Sequence, residues 1–558
     1  MIRKLLRLIN RREDEGGMHQ AAILLGVFSL ISQLIGLWRD RMLAHTIGPG
    51  PLLDVYYSAF RIPDFIYLSI ASLASITVLM PFLIDHMNSN GKDSARKFFN
   101  DVLSGFFLLL TLVSIAVYFM MPRLAQYIAP GFSTLQLHEL VGVSRIMLLS
   151  PIFMGLSNMI GTVTQLMRKF VVFSLSPIFY NLGIVFGILF LYPKYGVYGL
   201  AIGVALGALM HLLIQIPTIV KAGFTPKLAA RLEHATLRQV VSLSLPRTLG
   251  LSMNSIALIV ILAMASKLSS GSISIFNFSY NLETTPVGII GISYAVASFP
   301  LLSEAFARGD MDKWQKSIIS ALRQIIFWSL PLSALFIVVR AQIVRVTLGS
   351  GAFSWNDTKL TAAAFALFTL GLIAQNMILV SVRAFYAAHN TKTPLIINAF
   401  CSIVIVALAY FLLHAFETVP MFRYFIESLL RVPDIPQTAV LMLPLAYSIG
   451  TLLNAWLHWV DLRRQYLTSV GSLPRTLFEA VAASFAVGIT AYASLNALSY
   501  VFSMNTFFGV LMQGGIACIL GTLAGLILLY LLKSESLFEI LNAARKKFWK
   551  VDFVEPEK

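Results

Sequence analysis

The feature that most constrains this chain is the recurrence of long apolar runs. Fourteen stretches hold about 20 or more predominantly apolar residues, the length a helix needs to cross a bilayer. Their limits are 21–45, 52–86, 99–121, 138–167, 170–193, 196–220, 239–266, 272–306, 316–339, 358–388, 393–415, 437–461, 475–498 and 507–532. In hydrocarbon such a run must satisfy its own backbone hydrogen bonds, which a helix does and an open strand does not. A membrane β-barrel would alternate polar and apolar residues over segments of ~10 residues, and these runs do not alternate. Only 12% of the 558 residues are charged and 57% are hydrophobic. Soluble domains are about 25% charged, so a water-soluble enzyme and a disordered chain are both excluded. The fold class expected is an all-α polytopic membrane protein with fourteen transmembrane helices.

Charge gives the orientation. The net charge of +16 first suggests nucleic acid, but the basic residues sit in the segments between spans, so no nucleic-acid partner is expected. With the N-terminus inside, the cytoplasmic segments hold 27 Lys and Arg and the opposite segments 8, namely Arg123, Lys194, Lys267, Arg340, Arg345, Lys359, Arg423 and Arg431. That asymmetry places both termini in the cytoplasm and requires an even number of spans. Residues 1–20 are basic and lack a small-residue cleavage site, so they read as a cytoplasmic amphipathic N-terminus. Residues 533–558 read as a basic cytoplasmic tail, and the longest loop is about 416–436. Cys401 and Cys518 lie inside apolar runs and form neither a metal-site nor a disulfide pattern.

The chain also repeats itself. Leu43-Ala44 and Met80-Pro81-Phe82 match Leu262-Ala263 and Phe299-Pro300-Leu301 at an offset of 219. Gly155-Leu156 matches Gly371-Leu372 at 216, and Pro177 and Asn181 match Pro394 and Asn398 at 217. The near-common offset predicts two parallel six-helix lobes, 21–222 and 236–465, followed by a C-terminal helix pair over 475–532. Pro63, Pro81, Pro286 and Pro300 are the expected bend sites. Gly521 and Gly525 form a small-xxx-small pair suited to close packing.

Charges at membrane depth are costly and mark function or pairing. Arg39, Asp40 and Arg41 end the first run; Asp54, Arg61 and Asp64 open the second. One reading is a cationic lining at Arg39 and Arg61, with Asp40, Asp54 and Asp64 holding the arginines in place. The other is pairing and snorkelling near the outer mouth. Arg145, Arg247 and Arg383 sit at span ends, where snorkelling is the default; Arg247, in a polar stretch with Asn254 and Ser255, is the best of them as a cavity residue. Glu283 is an isolated carboxylate, either an arginine counter-ion, a proton-sensitive group or structural. His211 reads as a satisfied polar residue. No Walker, nucleophile-elbow, zinc-protease or dinucleotide motif occurs, so ATP hydrolysis, a bound cofactor and a catalytic metal are not expected.

Three blocks carry a resemblance: Ser32-Gln33-Leu34-Ile35-Gly36-Leu37-Trp38-Arg39-Asp40, Asp54-Val55-Tyr56-Tyr57-Ser58-Ala59-Phe60-Arg61-Ile62-Pro63-Asp64, and Pro286 to Gly291 followed by Phe299-Pro300-Leu301-Leu302-Ser303. Together they resemble the MurJ (MviN) lipid II flippases of the multidrug/oligosaccharidyl-lipid/polysaccharide exporter superfamily. The resemblance implies a transporter in the bacterial inner membrane that moves an undecaprenyl-diphosphate-linked peptidoglycan precursor by alternating access. Its implied partners are lipid II or a related polyprenyl-diphosphate-linked glycan, membrane lipids and cell-wall synthesis proteins. Arg39 and Arg61 match basic positions of that family; with Arg247, the cavity candidate read from the sequence itself, they are the expected diphosphate-binding residues, and Asp40, Asp54, Asp64, Asn281 and Glu283 are expected to support or gate them.

The sequence departs from that family at several places. Gln33, Tyr67 and Asn281 stand where the family usually has arginine, and Thr284 stands at its glutamate position, with Glu283 one residue earlier. No Asp or Glu occurs between Asp357 and Glu417, and the seventh run has none, which argues against a carboxylate sodium site there. Rival readings are an exporter of another prenyl-linked glycan and a non-transporting scaffold for cell-wall synthesis.

Overall fold

The structure is a computed structural model. It describes residues 18–71, 73, 76–227 and 234–549, except for the side chains of 18–25 and of several residues in 71–78, 234–251 and 543–549. The described residues form helices and turns, with no strand among them. Nearly all of the expected N-terminal segment 1–20 lies outside the described residues, as does the tail beyond Trp549.

Among the described residues eleven helices are long and apolar enough to cross a membrane, or twelve when Trp355–Thr369 and Leu372–Ala387, which meet at 42°, count as one span. The expected first span is the 29-residue helix Met18–Thr46. The expected second span is broken into Pro51–Ala59, Arg61–Ile66 and a π turn, Tyr67–Ala71. Its last part runs into the third span within Ile76–Ile128, where Gly91 at φ 76° and ψ −178° separates two helices. Only a residue without a Cβ takes that φ cheaply, so Gly91 is where the chain turns back.

Two of the four expected proline bends coincide with π turns. Tyr67–Ala71 follows Pro63, and Gly288–Ile292 follows Pro286 directly after Val287. A proline removes one N–H from the ladder, and a π turn re-registers the helix around the gap. Pro81 and Pro300 sit inside Ile76–Ile128 and Ser293–Ala307.

Packing divides the chain into two compact units. The first is Met1–Phe278 with Thr347–Asp357 and Asn398–Val406; the second is Ser279–Val346, Thr358–Ile397 and Ala407–Lys558. The division into these packing units falls inside Ser272–Val287, because the helix His234–Ala265 packs on Ile76–Ile128 and on the π turn Tyr67–Ala71.

In the first unit, Phe170–Phe186 and the π turn after it pack on Val197–Leu213 through glycines. A Cβ built on Gly203 would lie 2.6 Å from Gly187 Cα, and one on Gly187 would lie 2.6 Å from Gly203 Cα. Helices in lipid gain little from apolar burial, so backbone contact of this kind carries their association. Nearer the turn at Gly91, Leu83, Phe98, Phe99, Phe106, Ile160 and Phe224 form a tight core.

In the second unit, Trp314, Ile318, Leu322, Val380, Phe385 and Leu462 make the main core. Leu473–Leu498 and Phe507–Leu531 pack closely, and a Cβ on Gly521 would meet Val487 O at 3.0 Å and Ala491 Cβ at 3.1 Å. The Gly521 side of the expected small-residue pair is thus used for packing. The expected loop 416–436 contains a helix, Pro420–Leu430, and the expected tail contains another, Glu535–Trp549. The second is docked by Arg323, which pairs with Glu539 and lies 3.6 Å from Glu535, and by Leu537 and Ile540 against Phe327, Ala483 and Leu529.

Candidate functional site

Four of the expected site residues come together in the first unit. Met18–Thr46 packs on Phe170–Phe186, and this brings Arg39 to Asn181. Arg39 donates Nε and Nη2 to Asp40 Oδ1 at 2.9 and 2.7 Å, and Nη1 to Asn181 Oδ1 at 3.0 Å. Asn181 is fixed in turn by its Nδ2 on Pro177 O at 3.1 Å. Pro177 has no N–H to donate to the helical ladder, and its carbonyl accepts from the Asn181 side chain one turn on. Asp40 is 4% exposed, whereas the Arg39 side chain keeps 22% of its surface. The carboxylate is therefore buried behind the guanidinium, which is held at the surface of the site. A guanidinium carries five N–H donors, so three committed bonds leave two to meet an anion.

Tyr56, Tyr57 and Tyr180 surround this arginine closely enough to interact with its charge. Tyr57 also feels Arg61, and Tyr180 also feels Asp64 and Tyr67. Arg61 donates to Asn277 Oδ1, and Asn277 is held by Nδ2 on Ile273 O at 2.7 Å. Asp64 is exposed on the short helix Arg61–Ile66. Arg39, Asp40, Arg61 and Asp64 are thus grouped around the tyrosines Tyr56, Tyr57 and Tyr180, in a region where a charged side chain is retained only with partners.

Asp54 has a different place from the one expected. It holds no arginine. Its carboxylate accepts from Gly271 N at 2.6 Å, Ser274 N at 2.8 Å and Ser274 Oγ at 2.6 Å, with 3% exposure. Those are orphan donors at the start of Ser272–Val287, so Asp54 caps that helix from another element. The helix it caps carries Asn277, the partner of Arg61.

Asn281 and Glu283 belong to the second unit. Asn281 is half-buried, and its carbonyl accepts from Thr284 Oγ1 at 3.0 Å. Glu283 is fully buried. Its Oε1 accepts from Gln375 Nε2 at 2.8 Å, and its Oε2 is buried without a hydrogen-bond partner. Of the readings left open for Glu283, the arginine counter-ion is not the one seen here, since its hydrogen-bond partner is an amide. The side chain of Arg247 lies outside the described residues. Arg145 caps Tyr118, with Nε on Tyr118 O at 3.1 Å and the guanidinium 4.4 Å from the ring centroid, which is an interfacial arrangement. His211 is satisfied by Ser157 at 2.6 Å.

Asn181 and Asn277 were not among the expected site residues. Asn181 had one signal, its recurrence as Asn398 in the repeat; Asn277 had none. At the three positions where the resemblance implies arginine, Gln33 has a buried Oε1 with no partner, Tyr67 opens the π turn beside Asp64, and Asn281 is half-buried. No group of three or more His, Cys, Asp or Glu able to hold a metal occurs among the described residues.

The comparisons with known proteins agree in direction. The profile of the family "Lipid II flippase MurJ" matches residues 43–512. A probable lipid II flippase MurJ of Haemophilus influenzae is 30% identical over 386 residues, covering 66% of this chain and 75% of its own. The lipid II flippase MurJ of Burkholderia cenocepacia is 26% identical over 389 residues, covering 68% and 75%. Among solved structures, a lipid II flippase MurJ in an inward closed conformation superposes with TM-score 0.70 at 20% identity, over 93% of this chain and 100% of that one. An inward-facing multidrug resistance MATE family transporter of the MOP superfamily gives 0.63 at 15% identity, over 82% and 99%. The likeness to these structures is one of fold. The profile match, which spans most of the sequence, decides the family: the chain belongs to the MurJ family of lipid II flippases.

Proposed function

We propose that this protein flips lipid II from the inner to the outer leaflet of the bacterial cytoplasmic membrane, as a carrier and not as an enzyme. The observation that carries the reading is the family match over residues 43–512, together with an arginine presented as a diphosphate site requires. Arg39 is oriented by Asp40 and Asn181, keeps part of its surface, and has N–H donors left over. Diphosphate oxygens are met well by a planar, permanently charged fork. Arg61, positioned by Asn277, supplies the second cation, and Arg247 the third. Tyr56, Tyr57 and Tyr180 add hydroxyls and ring faces around them. Asp40 and Asp64 offset the cationic charge, so the empty site does not hold an anion too tightly to release it.

The chain is organised as fourteen spans, with lobes 21–222 and 236–465, the helix pair 475–532, and both termini in the cytoplasm. The basis is the repeat offset and the cation asymmetry. The lobes rock about the site between inward- and outward-open states, the motion that inward- and outward-facing structures of fold neighbours represent. Membrane lipids and cell-wall synthesis proteins are its further partners.

The test is flipping of purified lipid II by this protein in reconstituted vesicles, with Arg39→Ala as the paired control. Flipping by the wild type and none by the variant supports the proposal. Full flipping by a folded Arg39→Ala variant, or none by the folded wild type, refutes it.

A further inference from the structure

Half of the eight cations on the side opposite the termini, Arg340, Arg345, Arg423 and Arg431, lie in two segments that meet at one place. Arg340 follows the helix Met311–Val338, and its Nη2 donates to Leu430 O at 3.4 Å, at the end of Pro420–Leu430. That short helix is firmly fixed on its inner face. Ile426, Glu427 and Leu430 are buried, and Glu427 accepts from Arg423 Nε at 3.0 Å and from Thr438 Oγ1 at 2.6 Å. Its outer face is a stripe of large apolar side chains. Met421 is 84% exposed, Tyr424 72%, Phe425 61% and Leu429 62%. The spacing i, i+3, i+4, i+8 puts them on one side of the helix.

Charge and continuity say what covers that stripe. Arg340 takes two carbonyls, Ile337 O at 2.8 Å and Leu430 O at 3.4 Å, and Arg431 donates to Tyr492 Oη at 3.2 Å. Neither arginine has a carboxylate partner among the described residues. Burial and the neighbouring charge of Arg431 push the Arg340 guanidinium below its ordinary pKa, an electrostatic strain that a nearby anion relieves. Tyr492 is itself exposed, as is Ile489 one turn before it, on the outward face of Leu473–Leu498. The stripe therefore continues onto the lipid-facing side of a membrane span. An apolar stripe beside unneutralised arginines, next to a lipid-facing surface, is what an interfacial helix presents.

We infer that Pro420–Leu430 lies in the head-group layer of the leaflet opposite the termini, its apolar stripe among acyl chains and Arg340 and Arg431 on phospholipid phosphates. Only the naming of that leaflet rests on the topology proposed above.

The test uses the full chain in phosphatidylglycerol-containing vesicles, with Cys401 and Cys518 replaced by Ala. An environment-sensitive fluorophore is attached at Phe425→Cys, at Leu429→Cys, or at Asp434→Cys in the turn beyond the helix. The expected result is quenching by spin-labelled lipid at positions 425 and 429 but not 434, and quenching by iodide at 434 but not 425 or 429. Native mass spectrometry of Arg431→Gln should show phosphatidylglycerol retention weakened about fivefold, the worth of one basic residue at an anionic surface. Iodide quenching without lipid quenching at 425 and 429 would place the stripe in water and overturn the inference. Unchanged phosphatidylglycerol retention by Arg431→Gln would overturn the phosphate contact. Lipid II flipping is not read in either measurement, so failure here is distinct from failure of the flippase reading.

Discussion

Removing the Asp54 carboxylate distinguishes a helix cap from a charge in the substrate path. Asp54 meets two backbone N–H groups and one hydroxyl at 2.6 to 2.8 Å while almost fully buried. In Asp54→Ala the Ser274 hydroxyl can turn to another acceptor, but the amides of Gly271 and Ser274 cannot. Each orphaned buried donor costs about 1–3 kcal/mol, so the expected loss is about 4 kcal/mol for the pair. Asp54→Asn keeps one acceptor oxygen and sets its amide against the second N–H, so its loss is about 1–3 kcal/mol. Thermal unfolding of the detergent-purified protein, followed by tryptophan fluorescence, should rank wild type above Asp54→Asn and Asp54→Asn above Asp54→Ala. Flipping per folded molecule should be largely kept by Asp54→Asn, because the Ser272–Val287 helix and its Asn277 stay in place. A melting temperature unchanged in Asp54→Ala would refute the cap. Abolished flipping by Asp54→Asn with unchanged melting would instead put the carboxylate in contact with substrate.

Two further substitutions probe packing away from the site. Gly203→Leu should sharply lower the yield of monodisperse protein, since even a Cβ there would stand 2.6 Å from Gly187 Cα, whereas Gly515→Ala, with open space around its Cβ position, should be tolerated; size-exclusion profiles of the two decide this. Arg323→Ala should release the helix Glu535–Trp549 without unfolding the spans. Because Glu535 and Glu539 are about half exposed, the lost pairs are worth ~1 kcal/mol, so limited proteolysis after Lys533 should speed up about fivefold; an unchanged rate would show that Leu537 and Ile540 hold the helix alone.

What the sequence disclosed and what it hid follow from how local each cause is. A run long enough to cross a bilayer is legible in consecutive residues, and so are Arg39 and Asp40 as neighbours and Pro63 and Pro286 as bend sites. The glycine contact of Gly187 and Gly203 was legible in principle, since Gly183 and Gly187 in one run, and Gly199, Gly203 and Gly207 in the next, recur every four residues. The stripe of Pro420–Leu430 was legible by periodicity, but eleven residues are too few to cross a membrane, so the segment reads as a loop. Other roles were illegible because the partner is distant in sequence. Asn181 meets Arg39 from 142 residues away, and Asp54 reaches Gly271 across 217. The seven-residue spacing of Asp54 and Arg61 suggested a shared face, yet the helix breaks at Phe60 between them and sends the carboxylate to a different task. The repeat sharpens this point. Asp64 and Glu283 are 219 residues apart, the offset of the strongest repeat pairs, and each precedes a π turn on its span. One carboxylate stands exposed near arginine and tyrosine; the other is sealed against an amide with one oxygen unpartnered. A carboxylate sealed from water with one neutral donor offers an anionic head group neither cation nor solvent beside it. The exposed carboxylate beside Arg61 and the tyrosines is therefore a reason to look for the diphosphate site beside Arg39 and Arg61 and not beside Glu283.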